Sequence, residues 1–273
     1  MNPQAQIYLV DNGSLAPTAT FDLRSLATGL SQLSGYFVEP VSLLHSHKIS
    51  DDALGGVPAT IVKRRMREAL AEGKRSFILL PLFLGPSRAL SDYLPEVIED
   101  LKKESGEFKA IIADPLAGSS VKNPDNRLAE ILAQQVAGID SSSTMQVALV
   151  DHGTPAPEVN QLRNAVAVQL SERLGRPVVA ASMERRDGDA YAFNEPLLEN
   201  LGGVMNLHGR SLLIAMFFLL PGRHAGPDGD VAEIAAELIQ SQGLNSIART
   251  ELMGTHPLIL EILNDRLLAT LKK

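Results

Sequence analysis

The chain contains an internal repeat, which restricts its fold to one unit used twice. The segment Ile7-Tyr-Leu-Val-Asp-Asn-Gly-Ser14 recurs as Val147-Ala-Leu-Val-Asp-His-Gly-Thr154, displaced by 140 residues. At the same displacement Val41-Ser-Leu-Leu44 corresponds to Ala181-Ser-Met-Glu184. Further matches in the same order continue through both halves, at displacements near 135. Because the segment 138–144 is small and polar, as a linker is, the repeat predicts two similar domains at 1–141 and 142–273.

Short runs rich in Ile, Val and Leu alternate with longer stretches of helical periodicity in each half. The predicted strands are 6–11, 37–43, 76–83, 108–113, 146–151, 177–183, 211–219 and 246–251. The predicted helices are 20–34, 57–72, 92–104, 124–137, 158–174, 230–242 and 257–271, with a weak one at 194–207. This order predicts an α/β fold of two similar three-layer αβα domains, each with a mainly parallel sheet of about four strands.

Composition excludes several classes of function. The chain has 273 residues and a net charge of -7, with 14 Lys/Arg against 17 Asp/Glu in residues 1–140 and 11 against 15 in the remainder. Neither half carries the basic surplus of a nucleic-acid binder. No cysteine is present, which excludes disulfides, thiolate metal ligands and cysteine nucleophiles. The apolar run 212–220 is too short to cross a bilayer, and the sequence predicts a cytoplasmic protein without a membrane partner.

Three polar residues follow three successive predicted strands of the second half: His152, Glu184 and His224. Ligands of a parallel sheet collect at the carboxyl ends of its strands, so we expect these side chains to converge on one edge. Two imidazoles and a carboxylate suit a divalent transition metal, and they also suit proton transfer near neutral pH. The corresponding residues of the first half are Asn12, Leu44 and Ala89. The repeat therefore predicts a site that the second half retains and the first half has lost.

The second half resembles a known family in three motifs. These are Leu149-Val-Asp-His-Gly-Thr154, Phe217-Phe-Leu-Leu-Pro-Gly-Arg-His224 and the segment Asp-Val-Ala-Glu-Ile at 230–234. They resemble the class II tetrapyrrole chelatases, and more narrowly the sirohydrochlorin cobaltochelatase and ferrochelatase family of cobalamin and sirohaem biosynthesis. The chain departs from the family's His-Gly-Ser at Thr154, and it carries Asn12 where the first half would have a histidine.

The resemblance implies a lyase-type chelatase that acts without nucleotide. Such an enzyme inserts a divalent metal substrate, Co²⁺, Fe²⁺ or Ni²⁺, into a cyclic tetrapyrrole held between two α/β domains. By position, His152 and His224 match the family's metal-handling histidines, and Glu184 matches an assisting acidic residue. Arg185, Arg186 and Arg223 are candidates to pair with the acidic side chains of the macrocycle. A fused pair of units favours a monomer, with a homodimer as the alternative.

Two other enzyme classes and a carrier are alternatives to this function. A histidine phosphatase needs an arginine directly before its histidine to hold phosphate, and Asp151 stands there instead. A dinucleotide-binding function is excluded because neither predicted strand 6–11 nor predicted strand 146–151 is followed by the G-x-G-x-x-G turn. A non-catalytic tetrapyrrole or metal carrier of the same fold stays open, and four further histidines are candidate ligands in it: His45, His47, His208 and His256.

Overall fold

The computed structural model describes residues 5–272 and divides them into two compact units. Unit 1 holds the described residues up to Ser119, together with those from Pro257 onward. Unit 2 is the continuous stretch Ser120–His256. Each unit contains a four-stranded sheet in which every pair of neighbouring strands is parallel.

Unit 1 is built around a sheet with the strand order β2-β1-β3-β4. Its elements are β1 (Gln6–Asp11), α1 (Pro17–Ser34), β2 (Val38–Ser42), α2 (Val62–Ala71), β3 (Ser76–Pro81), α3 (Leu94–Ser105), β4 (Lys109–Ile112) and α8 (Pro257–Leu271). Tyr8 and Val10 of β1 pack in one apolar core with side chains of α2 and α3. Successive strand residues face opposite sides of a sheet, so Ile7 and Leu9 face the other layer, where α1 contacts α8.

Unit 2 repeats this arrangement with the strand order β6-β5-β7-β8. Its elements are α4 (Arg127–Ile139), β5 (Gln146–Asp151), α5 (Pro157–Leu174), β6 (Val178–Ser182), α6 (Leu201–Val204), β7 (Ser211–Met216), α7 (Asp230–Gln242) and β8 (Ser246–Arg249). Ala148 and Val150 of β5 pack in one core with residues of α6 and α7, whereas α4 and α5 contact each other on the opposite layer. The predicted fold class, two αβα units with parallel four-stranded sheets, is confirmed.

The first part of the repeat is reproduced residue for residue. Strands β1 and β5, helices α1 and α5, and strands β2 and β6 correspond at the predicted displacement of 140 residues. Each of the two helices begins at a proline, whose fixed φ suits the first helical position, and each ends at a left-handed glycine. Ser14 and Thr154 perform the same task before these helices, since each hydroxyl accepts a hydrogen bond from the backbone N–H two residues later.

The packing units differ from the predicted boundaries, 1–141 and 142–273, by one helix each. Helix α4 follows β4 in sequence but packs against α5 and β7 of unit 2. Helix α8 follows β8 but packs against α1 and β3 of unit 1. The repeat marks where the sequence pattern recurs, whereas the units mark which sheet each helix covers. The amphipathic pattern of a helix does not indicate against which of two similar sheets its apolar face packs.

Two predicted helices are several residues shorter in the structure. The helix predicted from 57 begins at Val62, because the preceding residues pair with β2: the Ser42 N–H donates to the Thr60 carbonyl at 3.1 Å. The weak helix at 194–207 is reduced to α6 and short 3₁₀ turns, in a segment interrupted by Pro196, Gly202 and Gly203. Of the helices in residues 5–272, none has the length and apolar character needed to cross a membrane.

Candidate functional site

His152 directly follows β5 at the carboxyl edge of the unit 2 sheet. The next residue, Gly153, has a φ of +94°, and a Cβ added there would lie 1.9 Å from the Glu184 carbonyl oxygen. Only glycine permits this close approach of the two chain segments. The approach is fixed by the Glu184 N–H, which donates to the His152 carbonyl at 3.2 Å. The backbone therefore brings the residues after β5 and β6 side by side.

The three predicted site residues meet through the His152 ring. Its Nε2 lies 3.1 Å from Glu184 Oε1, and its centroid lies 4.3 Å from that of the His224 ring, with 39° between the planes. The side chains of His152 and Glu184 are 48% and 59% exposed, so a ligand can reach them. The expectation that these residues converge on one sheet edge agrees with their placement.

Asp230 orients His224, and sequence reasoning did not select it as a site residue. Its Oδ2 lies 2.6 Å from His224 Nδ1. Because a carboxylate accepts, Nδ1 carries the proton in this contact and Nε2 keeps a free lone pair for a proton or metal ion. Asp230 is the first residue of α7, where an acidic side chain is favoured by the helix dipole. The available signal in the sequence was an acidic residue at the start of a predicted helix, six residues after His224.

The ionisation of His152 is set by its surroundings. Burial lowers its pKa, and the neighbouring His224 lowers it further, whereas Glu184 and Asp151 act in the opposite direction. The net effect is a pKa below the ordinary value of 6.5. Such an imidazole is neutral at pH 7, and it can then bind a metal ion or accept a proton.

The residues do not form a closed metal cage. Within residues 5–272, no group of three or more His, Asp or Glu side chains is arranged to hold a metal ion. The assignment of His152, Glu184 and His224 as joint metal ligands stays a prediction. An open arrangement suits a metal that must leave again, since a full set of strong ligands would retain it.

The candidate substrate-binding arginines differ in their contacts. Arg185 donates to Glu195 Oε1 at 2.7 Å and to the Arg186 and Gly188 carbonyls at 3.1 Å, so it is used to hold its own loop. Arg186 lies over the Tyr191 ring, with Cζ 5.9 Å from the centroid. Arg223 is exposed beside His224. Arg186 and Arg223 therefore remain the better candidates for a substrate carboxylate.

Unit 1 keeps the backbone of this edge but not its side chains. The Leu44 N–H donates to the Asn12 carbonyl at 3.2 Å, the same bond that joins Glu184 to His152. Gly13 has a φ of +88°, and an added Cβ would meet the Leu44 carbonyl. Ala89 begins a π-helical turn that leads into α3, in place of the loop that carries His224. Unit 1 thus keeps the backbone contact between the ends of its first two strands, but it lacks the two imidazoles and the carboxylate.

Comparison with known proteins identifies the second half. Residues 146–270 match the family model of CbiX. A chloroplastic sirohydrochlorin ferrochelatase of Arabidopsis thaliana is 28% identical over 123 residues, which are 44% of this chain and 50% of that protein. The second half thus carries the predicted resemblance to the class II chelatases, which is confirmed, and the matched region spans about half of the plant protein.

Solved structures similar to the chain extend over both halves. SirB from Bacillus subtilis with Fe³⁺ superposes with a TM-score of 0.74 at 14% identity and covers 97% of this chain and 95% of its own. The sirohydrochlorin chelatase SirB from Bacillus subtilis subspecies spizizenii, in complex with cobalt, gives 0.67 at 13% identity, with 98% and 95% covered. At these identities the likeness establishes the fold alone: both halves of the chain share the two-unit α/β architecture of these proteins.

Proposed function

We propose that this protein is a lyase-type chelatase that inserts a divalent metal ion, Co²⁺ or Fe²⁺, into a sirohydrochlorin-type tetrapyrrole without nucleotide. The observation that carries the proposal is the contact of His152 with both Glu184 and His224, at an exposed sheet edge of the half that matches the CbiX family model. The metal and the macrocycle are both substrates. Ni²⁺ is a third candidate metal. A cytoplasmic location and a monomeric state stay predictions from the sequence.

The arrangement supplies what metal insertion requires. Insertion displaces two protons from pyrrole nitrogens, so a base must stand beside the place where the ion is delivered. His224, with Nδ1 bound to Asp230, presents Nε2 as a metal ligand or proton acceptor. His152 and Glu184 form a second pair that receives a proton. Arg186 and Arg223 hold carboxylates of the macrocycle.

The experiment is an anaerobic assay with sirohydrochlorin and Co²⁺, Fe²⁺ or Ni²⁺, followed through the absorbance of the macrocycle. The parent is compared with the double variant His152→Ala with His224→Ala. His208→Ala is the matched control, because His208 is an exposed histidine of unit 2 before β7, at the opposite sheet edge. We expect insertion by the parent and the control only. A parent rate equal to the protein-free rate, or an undiminished double variant, contradicts the proposal.

A non-catalytic tetrapyrrole or metal carrier is the second candidate. It is favoured by the first unit, in which Asn12, Leu44 and Ala89 replace the three polar residues. The variant His224→Ala separates the two functions. An enzyme loses turnover and keeps its affinity for the tetrapyrrole, whereas a carrier has no turnover to lose and loses metal affinity alone. The four histidines considered for a carrier, His45, His47, His208 and His256, belong to no three-ligand group within residues 5–272.

A further inference from the structure

A buried arginine lies beneath the candidate site. Arg163 is on helix α5 and is only 1% exposed, although arginine is rarely buried unless its charge is paired. Its Nη1 lies 3.8 Å from Asp151 Oδ1, and the carboxylate side chain is 10% exposed. Removing an ion pair of this kind from water costs free energy that apolar side chains of similar size avoid. An arginine at this position therefore calls for an explanation beyond packing.

The guanidinium group is hydrogen-bonded to its own helix and to two other chain segments. Nη1 donates to Ser182 Oγ at 2.6 Å and to the Asn194 carbonyl at 3.0 Å. Nε and Nη2 donate to Asn164 Oδ1 at 3.1 and 2.9 Å. The flat fork of arginine makes these bonds at once, which the single ammonium group of lysine does not.

These bonds continue to the residues on either side of His152. The Ser182 hydroxyl donates to Asp151 Oδ1 at 2.6 Å. The Asn194 side chain accepts from the Thr154 N–H at 3.0 Å and donates to the Thr154 carbonyl at 2.9 Å. Through these partners, Arg163 fixes the chain one residue before and two residues after His152.

Glu184 is fixed through the same group. Ser182, the last residue of β6, stands two residues before Glu184 and accepts the guanidinium hydrogen bond. The Glu184 N–H in turn donates to the His152 carbonyl. The relative position of the two side chains thus depends on a strand end and a loop that meet at one buried cation.

The other half of the chain indicates that the fold does not require this arginine. Leu23 occupies the corresponding position of α1 and is 2% exposed. Unit 1 nevertheless keeps Asp11, Ser42 and the bond from the Leu44 N–H to the Asn12 carbonyl. The strand ends adopt the same backbone without a guanidinium group. The arginine occurs only in the half whose strand ends carry His152 and Glu184.

We infer that Arg163 is a positioning residue, whose guanidinium holds the ends of β5 and β6 so that the side chains of His152 and Glu184 stay in contact. It touches neither of these two side chains and acts through Asp151, Ser182 and Asn194. The inference rests on the proposed function for its effect on turnover only. The expected effect of Arg163 on the position of the His152 ring does not depend on which function the protein has.

The test compares Arg163→Leu, which introduces the residue of unit 1, with Arg163→Lys and Ser182→Ala. Arg176→Leu is the matched control, since Arg176 also pairs with a buried carboxylate of unit 2, Asp140, at 2.7 Å. That pair precedes β5 and β6, at the opposite edge of the sheet. Both arginine-to-leucine variants lose a buried ion pair, so a loss of stability alone affects both.

Two measurements distinguish the roles. The ring signals of His152 are followed by ¹H–¹⁵N NMR in the metal-free full chain, and turnover is measured with sirohydrochlorin and Co²⁺ at a temperature where each variant is folded. We expect Arg163→Leu to shift the His152 signals and lower turnover about 10- to 100-fold, the effect typical of groups that orient metal-binding residues. Arg163→Lys falls between this variant and the parent. Arg176→Leu leaves the His152 signals of the folded protein in place and its turnover within twofold of the parent.

Unchanged His152 signals in folded Arg163→Leu overturn the inference and leave the arginine a stability role. If Arg163→Leu does not fold, the same measurements on Ser182→Ala decide between the two roles. This variant removes the hydrogen bond from Ser182 to Asp151 while Arg163 stays. A parent without insertion activity whose His152 signals still respond refutes the proposed function and supports the positioning role. An active parent whose His152 signals do not respond to Arg163→Leu supports the proposed function and refutes the positioning role.

Discussion

Replacement of the same aspartate by asparagine in the two halves should have different effects on stability as the pH changes. Asp11 and Asp151 end the first strand of their units and are both 7% exposed. Burial raises the pKa of Asp11 from the ordinary value of 3.8 to about 6, although Ser42 and the Gly13 N–H lower it. No hydrogen bond reaches Asp11 Oδ1 from the residues that the structure describes. Asp151 instead has Ser182 and Arg163 beside it.

The size of the effect follows from the pKa of Asp11. Below about pH 4 the folded and unfolded chains both hold the proton. Between about pH 4 and 6 only the folded chain holds it, so stability falls as the pH rises. Above pH 6 both are ionised and the full cost remains, about 3 kcal/mol at 1.4 kcal/mol per pKa unit. An asparagine side chain cannot ionise and lacks this cost, so Asp11→Asn should gain about 2–3 kcal/mol over the parent between pH 4 and 7.

Asp151→Asn is the comparison. Burial raises the pKa of Asp151 as well, but Ser182 and Arg163 oppose the rise. The pH-dependent gain should therefore be smaller, and at pH 7 the variant should lose about 3–5 kcal/mol because Arg163 stays buried without its carboxylate. Urea unfolding followed by circular dichroism at pH 4, 5, 6 and 7 measures both variants, and carboxyl ¹³C NMR gives the pKa of Asp11 directly. A stability difference between Asp11→Asn and the parent that stays flat over this range refutes the reasoning.

Three further outcomes are expected. Gly153→Ala should cost about 2–4 kcal/mol and abolish insertion, since its Cβ would collide with the Glu184 carbonyl at a positive φ; a melting curve and the insertion assay check this. Arg186→Gln should raise KM for the tetrapyrrole about tenfold at unchanged stability, whereas Arg185→Gln should lower the melting temperature; equal effects would contradict these assignments. Asp140→Asn should lose about 2–3 kcal/mol at pH 7 in urea unfolding and little near pH 2. Burial raises the Asp140 pKa, but hydrogen bonds from Arg176 and the backbone outweigh it and set the pKa at about 2, so the stability is lost as the pH falls from about 4 to 2.

Much of the fold could be predicted because the buried strands are apolar runs bounded by polar or turn residues. The strands β1 and β5 lie where the runs 6–11 and 146–151 placed them. The strand predicted at 211–219 ends at Met216 in the structure. The sequence did not reveal this end, because the residues that follow the strand are as apolar as those inside it. Helices α4 and α8 began and ended close to prediction, but their partners depend on tertiary packing that the sequence pattern does not contain.

The candidate site could be predicted as far as residues that follow strands. His152 and Glu184 stand at strand ends, where a parallel sheet places its ligands. Asp230 and Arg163 escaped prediction because each lies on a helix, where a charged residue is ordinarily solvated. The repeat contained a usable signal in the second case, since Leu23 and Arg163 occupy one helical position with opposite polarity.

The assignment of helix α8 to unit 1 has a consequence for how the chain is synthesised. Unit 2 is one uninterrupted stretch, Ser120–His256, whereas unit 1 needs Pro257–Leu271 to cover one face of its sheet. On the ribosome the residues of unit 2 therefore emerge as a full set before unit 1 has received its last helix. Although its strands are translated first, unit 1 is the later of the two to be completed. Expression of residues 1–141 alone would leave α1 without α8 on that face of the sheet and carry α4 without α5, so the two halves of the repeat are poor choices for separate production.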